Sequence, residues 1–184
     1  MSPLETLGFA LGTSFASGLN LYATVAAAGL FQRLGIALTL FLVEFIADKI
    51  PYVDSAWDAL HTFIRPPAAA LLSYSAFAGE GVPEEWRLSA ALLAGGVALT
   101  SHGAKASTRA AANASPEPVS NWTLSLLEDG FAVFLAWMAA EHPLLTAAVV
   151  VVLVVLAVFL IWKLFSFLRQ AVARLRRGPS PAGP

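Results

Sequence analysis

The stretch that decides the fold is Leu144–Trp162, LLTAAVVVVLVVLAVFLIW, near the end of the chain. It contains no charged side chain and consists mostly of Val, Leu and Ala. A helix needs about 20 apolar residues to cross the hydrocarbon core of a bilayer. We therefore predict a transmembrane helix here, with lipid as the solvent of the chain.

The composition of the whole chain agrees with this prediction. Of its 184 residues, 58% are hydrophobic and 12% are charged, and its mean hydropathy is +0.71. A soluble domain has about 25% charged residues, which is roughly twice this fraction. The net charge of −1 argues against a nucleic-acid role, which would require a basic face. Because there is no cysteine, disulfides and thiolate metal sites are excluded as well.

Five further apolar segments precede the decisive stretch, so we predict an all-α, polytopic membrane protein with about six transmembrane helices. The first span should break or bend around Ser17–Asn20. A single transmembrane domain would cover residues 1–178, and the Pro/Gly-rich tail 179–184 should be disordered. The predicted spans are Leu4–Phe31, Gly35–Ile50, Pro66–Ala78, Glu84–Asn113, Val119–Ala140 and Leu144–Leu168.

The Lys and Arg residues predict the orientation of these six spans. With both termini in the cytoplasm, only Arg33 and Arg87 lie on the outer side. Basic residues concentrate on the cytoplasmic side of membrane proteins, so the chain is predicted to be a multi-pass protein of a bacterial inner membrane. The residues on the cytoplasmic side would be Lys49, Arg65, Lys105, Arg109, Lys163, Arg169, Arg174, Arg176 and Arg177.

Two pairs of segments suggest an internal repeat. TSFASGLNLYATVAAAG begins at Thr13 and TSHGAKASTRAAANAS begins 87 residues later at Thr100; TLFLVE begins at Thr39 and TLSLLE begins 84 residues later at Thr123. With three helices in each half (about 4–78 and 84–168), the halves would insert in opposite orientations. Inverted repeats are typical of secondary transporters, whose sites lie near the membrane midplane. Chance similarity among small and apolar residues is the alternative.

Each copy of the second repeated segment ends in an acid, Glu44 or Glu128, near the middle of its span. A charged side chain at the centre of a membrane helix costs about 2.5–3.5 kcal/mol on insertion scales. The pair is therefore a candidate for binding protons or cations, and a structural ion pair or hydrogen bond between helices is the alternative.

Other polar residues could complete a site between spans one, two, four and five. Asp48 follows Glu44 by one helical turn, and the second repeated acid is followed directly by Asp129. His102, Lys105 and Arg109 share one face of span four and could balance these acids or bind an anionic group. Asn20 and Tyr22 would line the site from the bent first span. Four of these residues could also bind a divalent cation, so a metal site remains open: Glu44, Asp48, His102 and Glu128. No cofactor is expected.

Two faces have structural interpretations. Asp54, Asp58, His61 and Arg65 lie on one face of an amphipathic stretch, which predicts a solvated helix along the cytoplasmic interface. Gly8–Ala16 carries small residues one turn apart. Such a face predicts close helix packing within the chain and leaves a homodimer as the alternative.

Three strings resemble those of a domain-of-unknown-function family of small bacterial integral membrane proteins. They are GLNLYAT at Gly18–Thr24, ADKIPYVDSAWD at Ala47–Asp58 and SPEPVSN at Ser115–Asn121. The resemblance covers roughly Leu7–Ala140 and leaves the last span outside. It implies a helical fold with several spans and supplies no reaction.

Three functions follow from these patterns. The leading hypothesis is a small secondary transporter or permease for an ion or small polar solute, in which Glu44 and Glu128 couple transport to protons or cations. A second is an intramembrane enzyme or lipid-handling protein that uses His61, His102 and the acids on a lipid headgroup, although no hydrolase or transferase signature is present. The third is a structural membrane subunit. The expected partners are bilayer lipids and a small ion or solute.

Overall fold

The computed structural model describes residues 1–27, 34–50, 52–78, 80–113 and 118–176, and these ranges are helical and contain no strand. The all-α prediction is therefore confirmed. The predicted disordered tail, 179–184, lies outside the described residues. The helices are α1 Pro3–Leu19, α2 Leu21–Ala27, α3 Leu34–Ala47, α4 Val53–His61, α5 Arg65–Ala76, α6 Glu84–Asn113, α7 Pro118–Glu141 and α8 Pro143–Arg176.

The predicted break in the first span occurs at Asn20. Its backbone is extended (φ −149°, ψ 105°), which ends α1, and α2 starts at the next residue. The Asn20 side-chain oxygen accepts a hydrogen bond of 2.8 Å from the backbone N–H of Ala23. Asparagine is suited to this position because its short amide can replace a missing backbone partner at a helix start.

Helices α4 and α5 follow one another along α6. Thr62 and Ile64, between the two helices, keep right-handed helical backbone angles, so the chain continues in nearly the same direction. Pro66 and Pro67 have no N–H group, which removes two helical hydrogen bonds and accounts for the joint. This pair of helices is called the α4–α5 rod below.

Contacts at both ends of the helices define their directions. The rod is antiparallel to α6, because Asp54 lies near Arg109 and Tyr74 near Arg87. The other helices are related to α1. Helix α6 is parallel to α1, because the Met1 amino group is 4.0 Å from the Glu80 carboxylate and the Leu19 carbonyl accepts from Lys105 at 2.9 Å. Helix α8 is also parallel to α1 (Gly8 against Pro143, Leu19 beside Ala157), whereas α7 is antiparallel (Gly12 against Ala139, Asn20 bonded to Asp129).

These directions do not support an inverted repeat. That repeat relates the first span to the fourth and requires opposite directions, but α1 and α6 are parallel. The reason lies at Asn20, where the chain turns back: Thr24 and Val25 of α2 line a cavity with Phe9 of α1, so α2 is antiparallel to α1. Pro66–Ala78, predicted to cross in the direction of the first span, is therefore antiparallel to α1: Arg65 bonds to the Leu19 carbonyl, and Ser75 lines the same cavity as Phe9.

The same directions affect the predicted placement of the termini. Helix α1 starts at the end of the bundle where α5 leads into α6, and α8 runs parallel to α1 towards the other end. Met1 and Arg176 therefore lie at opposite ends of the bundle. The structure does not support a cytoplasmic location of both termini.

Small residues let the helices of the bundle approach closely. A Cβ atom at Gly18 would collide with the Ser101 side chain and the Ala98 carbonyl of α6. A Cβ atom at Gly12 would collide with Ala139 and Thr146, so the small-residue face of α1 packs within the chain as predicted. A homodimer would have to use another surface. The buried core beside these contacts contains Leu11, Phe15, Ala16, Leu19, Val97, Ala132, Leu135, Ala136, Met138 and Val150.

Among the described residues, two stretches are long and apolar enough to cross a membrane, Trp122–Glu141 and Pro143–Phe167. The second contains the stretch quoted at the outset. Val155 is 63% exposed and Phe159 is 55% exposed, so α8 presents a broad apolar surface to its surroundings. Surfaces of this kind on a single chain require lipid or a partner to cover them.

Candidate functional site

Nine charged side chains are buried together where α3, the α4–α5 rod, α6 and α7 meet the end of α1. None of them is more than 9% exposed. This group is called the ion network. Its members are Glu44, Asp48, Asp54, Asp58, Arg65, Lys105, Arg109, Glu128 and Asp129.

Helix α6 provides the central cations of the ion network. Lys105 Nζ donates to Asp48 Oδ2 at 2.8 Å and lies 3.5 Å from Glu44 Oε1. Arg109 Nη2 donates to the same Asp48 oxygen at 3.0 Å, and its Nε and Nη2 donate to Glu128 Oε2 at 3.0 and 2.5 Å. Alternating charges therefore connect Glu44 to Glu128. The two acids singled out in the sequence belong to one network.

The C-terminal end of α1 explains why two cations are buried beside it. The last carbonyl groups of a helix have no partner within the helix and carry partial negative charge. Arg65 Nη1 donates to the carbonyls of Gly18 and Leu19 at 2.5 and 3.1 Å, and Lys105 Nζ also donates to Leu19 at 2.9 Å. The Arg65 Nη2 atom forms a short ion pair with Glu44. The break at Asn20 thus creates a binding position for cations inside the bundle.

Two histidines are held in defined tautomers at the edge of the network. His102 Nε2 is 2.9 Å from the Asp58 carbonyl and can only donate to it, so Nδ1 is the acceptor facing Arg65 at 2.9 Å. His61 Nδ1 likewise donates to the Trp57 carbonyl at 2.9 Å. Its Nε2 therefore accepts from the Tyr22 hydroxyl at 3.1 Å.

The remaining predicted site residues form a pair next to the network. The Asn20 side-chain N–H donates to Asp129 Oδ1 at 2.8 Å. Half-buried Lys49 donates to Ser125 at 3.3 Å and supplies a fourth cation nearby. The structure thus brings all the sequence-predicted site residues to one region of the bundle: Asn20, Tyr22, Glu44, Asp48, His102, Lys105, Arg109, Glu128 and Asp129.

The predicted surface position of the polar face of the α4–α5 rod is wrong. Asp54, Asp58, His61 and Arg65 are all at most 2% exposed. An amphipathic pattern reports that one helix face is polar, but a polar face can contact other charges as well as water. The matching charges on α6, spaced by three and four residues, are the signal that could have placed this face inside the bundle.

Among the residues that the structure describes, acids outnumber cations in this region. The ion network contains six carboxylates and three cations, and Lys49 raises the cations to four. Several buried carboxylate oxygens have no hydrogen-bond partner, namely Glu44 Oε2, Asp48 Oδ1, Asp58 Oδ1 and Oδ2, and Asp129 Oδ2. An uncompensated buried charge is strongly unfavourable, so this excess requires bound protons or cations. Within the part of the chain that the structure describes, no three acids or histidines have the geometry of a metal site.

These features define an all-helical protein with membrane-length apolar helices and an enclosed ion network. The chain belongs to the family described as domain of unknown function (DUF4126), whose model matches residues 33–163. This confirms the family resemblance. The match starts after the first resembling string and includes most of the last predicted span, whereas the expected extent was 7–140. Neither a curated protein nor a solved structure matches the chain.

Proposed function

We propose that this protein is a multi-pass inner-membrane transporter or permease that moves an ion or small polar solute. Its buried carboxylates, Glu44 and Glu128 among them, would take up protons or cations during transport. The observation that carries this proposal is the excess of acids in one enclosed network that joins these two residues.

The membrane topology of the proposal follows the helix directions. Helix α1, the α4–α5 rod, α6, α7 and α8 would supply alternating crossings, whereas α2 turns back beside α1. Lys163 and Arg169 lie at the end of the α8 apolar stretch, and basic flanks remain in the cytoplasm. The opposite end, where Met1 meets Glu80, would then face outward. The ion network lies towards the cytoplasmic end, because Ile161 of α8 is level with Gly103 of α6.

An acid excess favours ion exchange over simple anchoring. A network that only joins helices is most stable when each buried charge has a partner of opposite sign. Here Asp58 and other acids keep unpaired oxygens while Lys105 and Arg109 are fully engaged. Such a site can gain or lose a positive ion and change the partners of its cations. This is the property that a coupled transporter needs.

The test is ion flux in liposomes that contain the purified protein and dyes sensitive to protons, sodium or potassium, with a gradient of each ion applied in turn. We expect flux in the wild type and at least a tenfold loss in Glu44→Gln and Glu128→Gln. Glu84→Gln, at the exposed start of α6, is the control and should retain flux. Wild-type flux in the double Gln variant would rule out the assignment of these two acids.

Folding has to be measured alongside flux, because both acids contact cations. Removing one partner of a buried ion pair costs about 3–5 kcal/mol of stability. Arg65 keeps two carbonyl acceptors when Glu44 becomes Gln, so we expect this variant to fold with reduced stability. The inactive variants should therefore be compared with the wild type by unfolding temperature before flux is interpreted.

A structural membrane subunit is the second candidate, and the complete burial of the network favours it. This candidate predicts a stability loss in the same variants but no ion flux in the wild type. His61 and His102, the residues expected of an intramembrane lipid enzyme, are 1% exposed and engaged with Tyr22, Trp57, Thr62 and Asp58. Their engagement does not favour an enzyme.

A further inference from the structure

Asp58 differs from the other acids of the ion network. Its side chain is buried, and neither carboxylate oxygen accepts a hydrogen bond. Arg65 Nη2 and Lys105 Nζ are the nearest cations, at 3.8 and 3.9 Å from Oδ1. Both distances exceed those of a hydrogen bond, which is about 2.7–2.9 Å for a charged pair.

Most donors of the two cations near Asp58 are engaged elsewhere, and the Arg65 Nε–H is a buried donor without a partner. Arg65 binds Glu44 and the carbonyls at the end of α1, and Lys105 binds Asp48 and the Leu19 carbonyl. An ionised Asp58 would therefore be buried without any hydrogen bond, which is a costly state. A protonated, neutral Asp58 carries no charge for its neighbours to compensate, so its burial costs less free energy.

We propose that Asp58 is the proton-binding residue of this network and that the coupling ion is a proton. This inference rests on the proposed transport function. A metal cation at Asp58 would lie close to the positive charges of Arg65 and Lys105, which repel it. A proton bonds directly to a carboxylate oxygen and needs no further ligands.

The groups around Asp58 come from several helices. They combine acids that compete for its cations with cations that stabilise its ionised form. Helix α3 and the residue after it supply Glu44 and Asp48. The α4–α5 rod, which contains Asp58, supplies Asp54, His61 and Arg65. Helix α6 supplies His102, Lys105 and Arg109.

The proposed step is a proton exchange coupled to a change of ion-pair partners. A proton from water on one side binds a free oxygen of Asp58, and Arg65 and Lys105 remain with Glu44 and Asp48. When the proton leaves to water on the other side, the carboxylate attracts one of the two cations. A shift of roughly 1 Å brings either nitrogen within hydrogen-bond distance. Proton binding thus decides whether these cations are held by α3 or by α4.

The experiment compares Asp58→Asn with the wild type in proteoliposomes that contain a pH dye and carry a potassium diffusion potential set by valinomycin. Asn has the shape of the neutral acid but cannot exchange a proton. We expect proton flux to fall at least tenfold, while Glu84→Gln retains it. Infrared difference spectra on acidification should show a carboxylic acid band that Asp58→Asn lacks. This second readout detects the proton at Asp58 without transport.

The outcomes separate this inference from the proposed function. Proton flux that survives Asp58→Asn but is lost in Glu44→Gln would overturn the role of Asp58 and leave the transporter standing. Flux of sodium or potassium without proton flux would also overturn the role of Asp58 and leave the transporter standing. If the wild type shows no flux of any ion, both the role of Asp58 and the proposed transport function are contradicted. An Asp58→Asn protein that does not fold would also contradict a neutral acid at this position, because Asn preserves its shape.

Discussion

Helix α8 and the α4–α5 rod use opposite chemistry. Over Pro143–Phe167, α8 has almost no charge and exposes its apolar side chains. Helix α4 and the first residue of α5 carry charged or polar side chains at each turn of one face, and this face is buried. Exposed apolar residues and buried charges together are the reverse of a soluble protein. The comparison shows that the charges on α4 and on the second half of α6 mark the interior of the bundle.

The largest expected effect distinguishes a buried cation from an exposed one. Arg109→Met should lower the free energy of unfolding by about 3–5 kcal/mol, because Asp48 and Glu128 lose their shared partner. Arg169→Met, on the exposed end of α8, is the matched control and should change it by no more than about 0.5 kcal/mol. Denaturant unfolding in detergent measures both. Equal effects would contradict an interior network.

The second prediction concerns how closely α1 and α6 pack. Gly18→Ala should cost about 1–3 kcal/mol, because the added methyl group overlaps Ser101 and the Ala98 carbonyl. Gly130→Ala on α7 has open space around its Cβ position and should be neutral or stabilise the helix by about 0.5–1 kcal/mol. Unfolding temperatures of the two variants should therefore shift in different directions. A stabilised Gly18→Ala would contradict the close approach.

A smaller effect is expected from one polar contact between the rod and α6. Thr62 Oγ1 is 2.9 Å from His102 Nε2 and bonds to the Asp58 carbonyl. Thr62→Val keeps the shape but removes the hydroxyl and should cost about 1 kcal/mol. Thr108→Val, whose hydroxyl donates within α6 to the Ala104 carbonyl, is the control and should cost less. The same unfolding assay separates them.

The smallest effect is expected on the apolar face of α8. Val155→Ala removes methyl groups from a side chain that is 63% exposed and lies outside the buried core, so the stability in detergent should change by less than about 0.5 kcal/mol. Val150→Ala is the comparison. Because Val150 is buried in the core, its substitution should lower the free energy of unfolding by about 1–3 kcal/mol. A large loss for Val155→Ala would show that this face packs against protein.

The sequence predicted the helical class, the break at Asn20 and the meeting of Glu44, Asp48, Lys105 and Arg109. These depend on local patterns: apolar length, helix-breaking residues and charges one turn apart. The direction of each helix does not depend on such local patterns. Pro66–Ala78 looks like a short independent span, and only its packing along α6 shows that it continues α4.

The acids and cations of the rod were misplaced for a related reason. Asp58 and Arg65 have the spacing of an amphipathic surface helix, and this spacing is the same whether the polar face contacts water or other charges. The family resemblance, by contrast, depended on specific strings and was confirmed. Strings identify relatives, but they do not orient helices.

The joint of the α4–α5 rod has a mechanical consequence. Because Pro66 and Pro67 donate no hydrogen bonds, the carbonyls of Thr62 and Phe63 receive none from those positions, and bending there disrupts fewer helical bonds than bending within α4 or α5. Helix α5 packs extensively against α1 and α6, whereas α4 packs less extensively against α6, so α4 has more freedom to tilt. The rod therefore has a joint near Asp58 at which it can bend. A small rearrangement of ion pairs could tilt α4 at this joint without unwinding it.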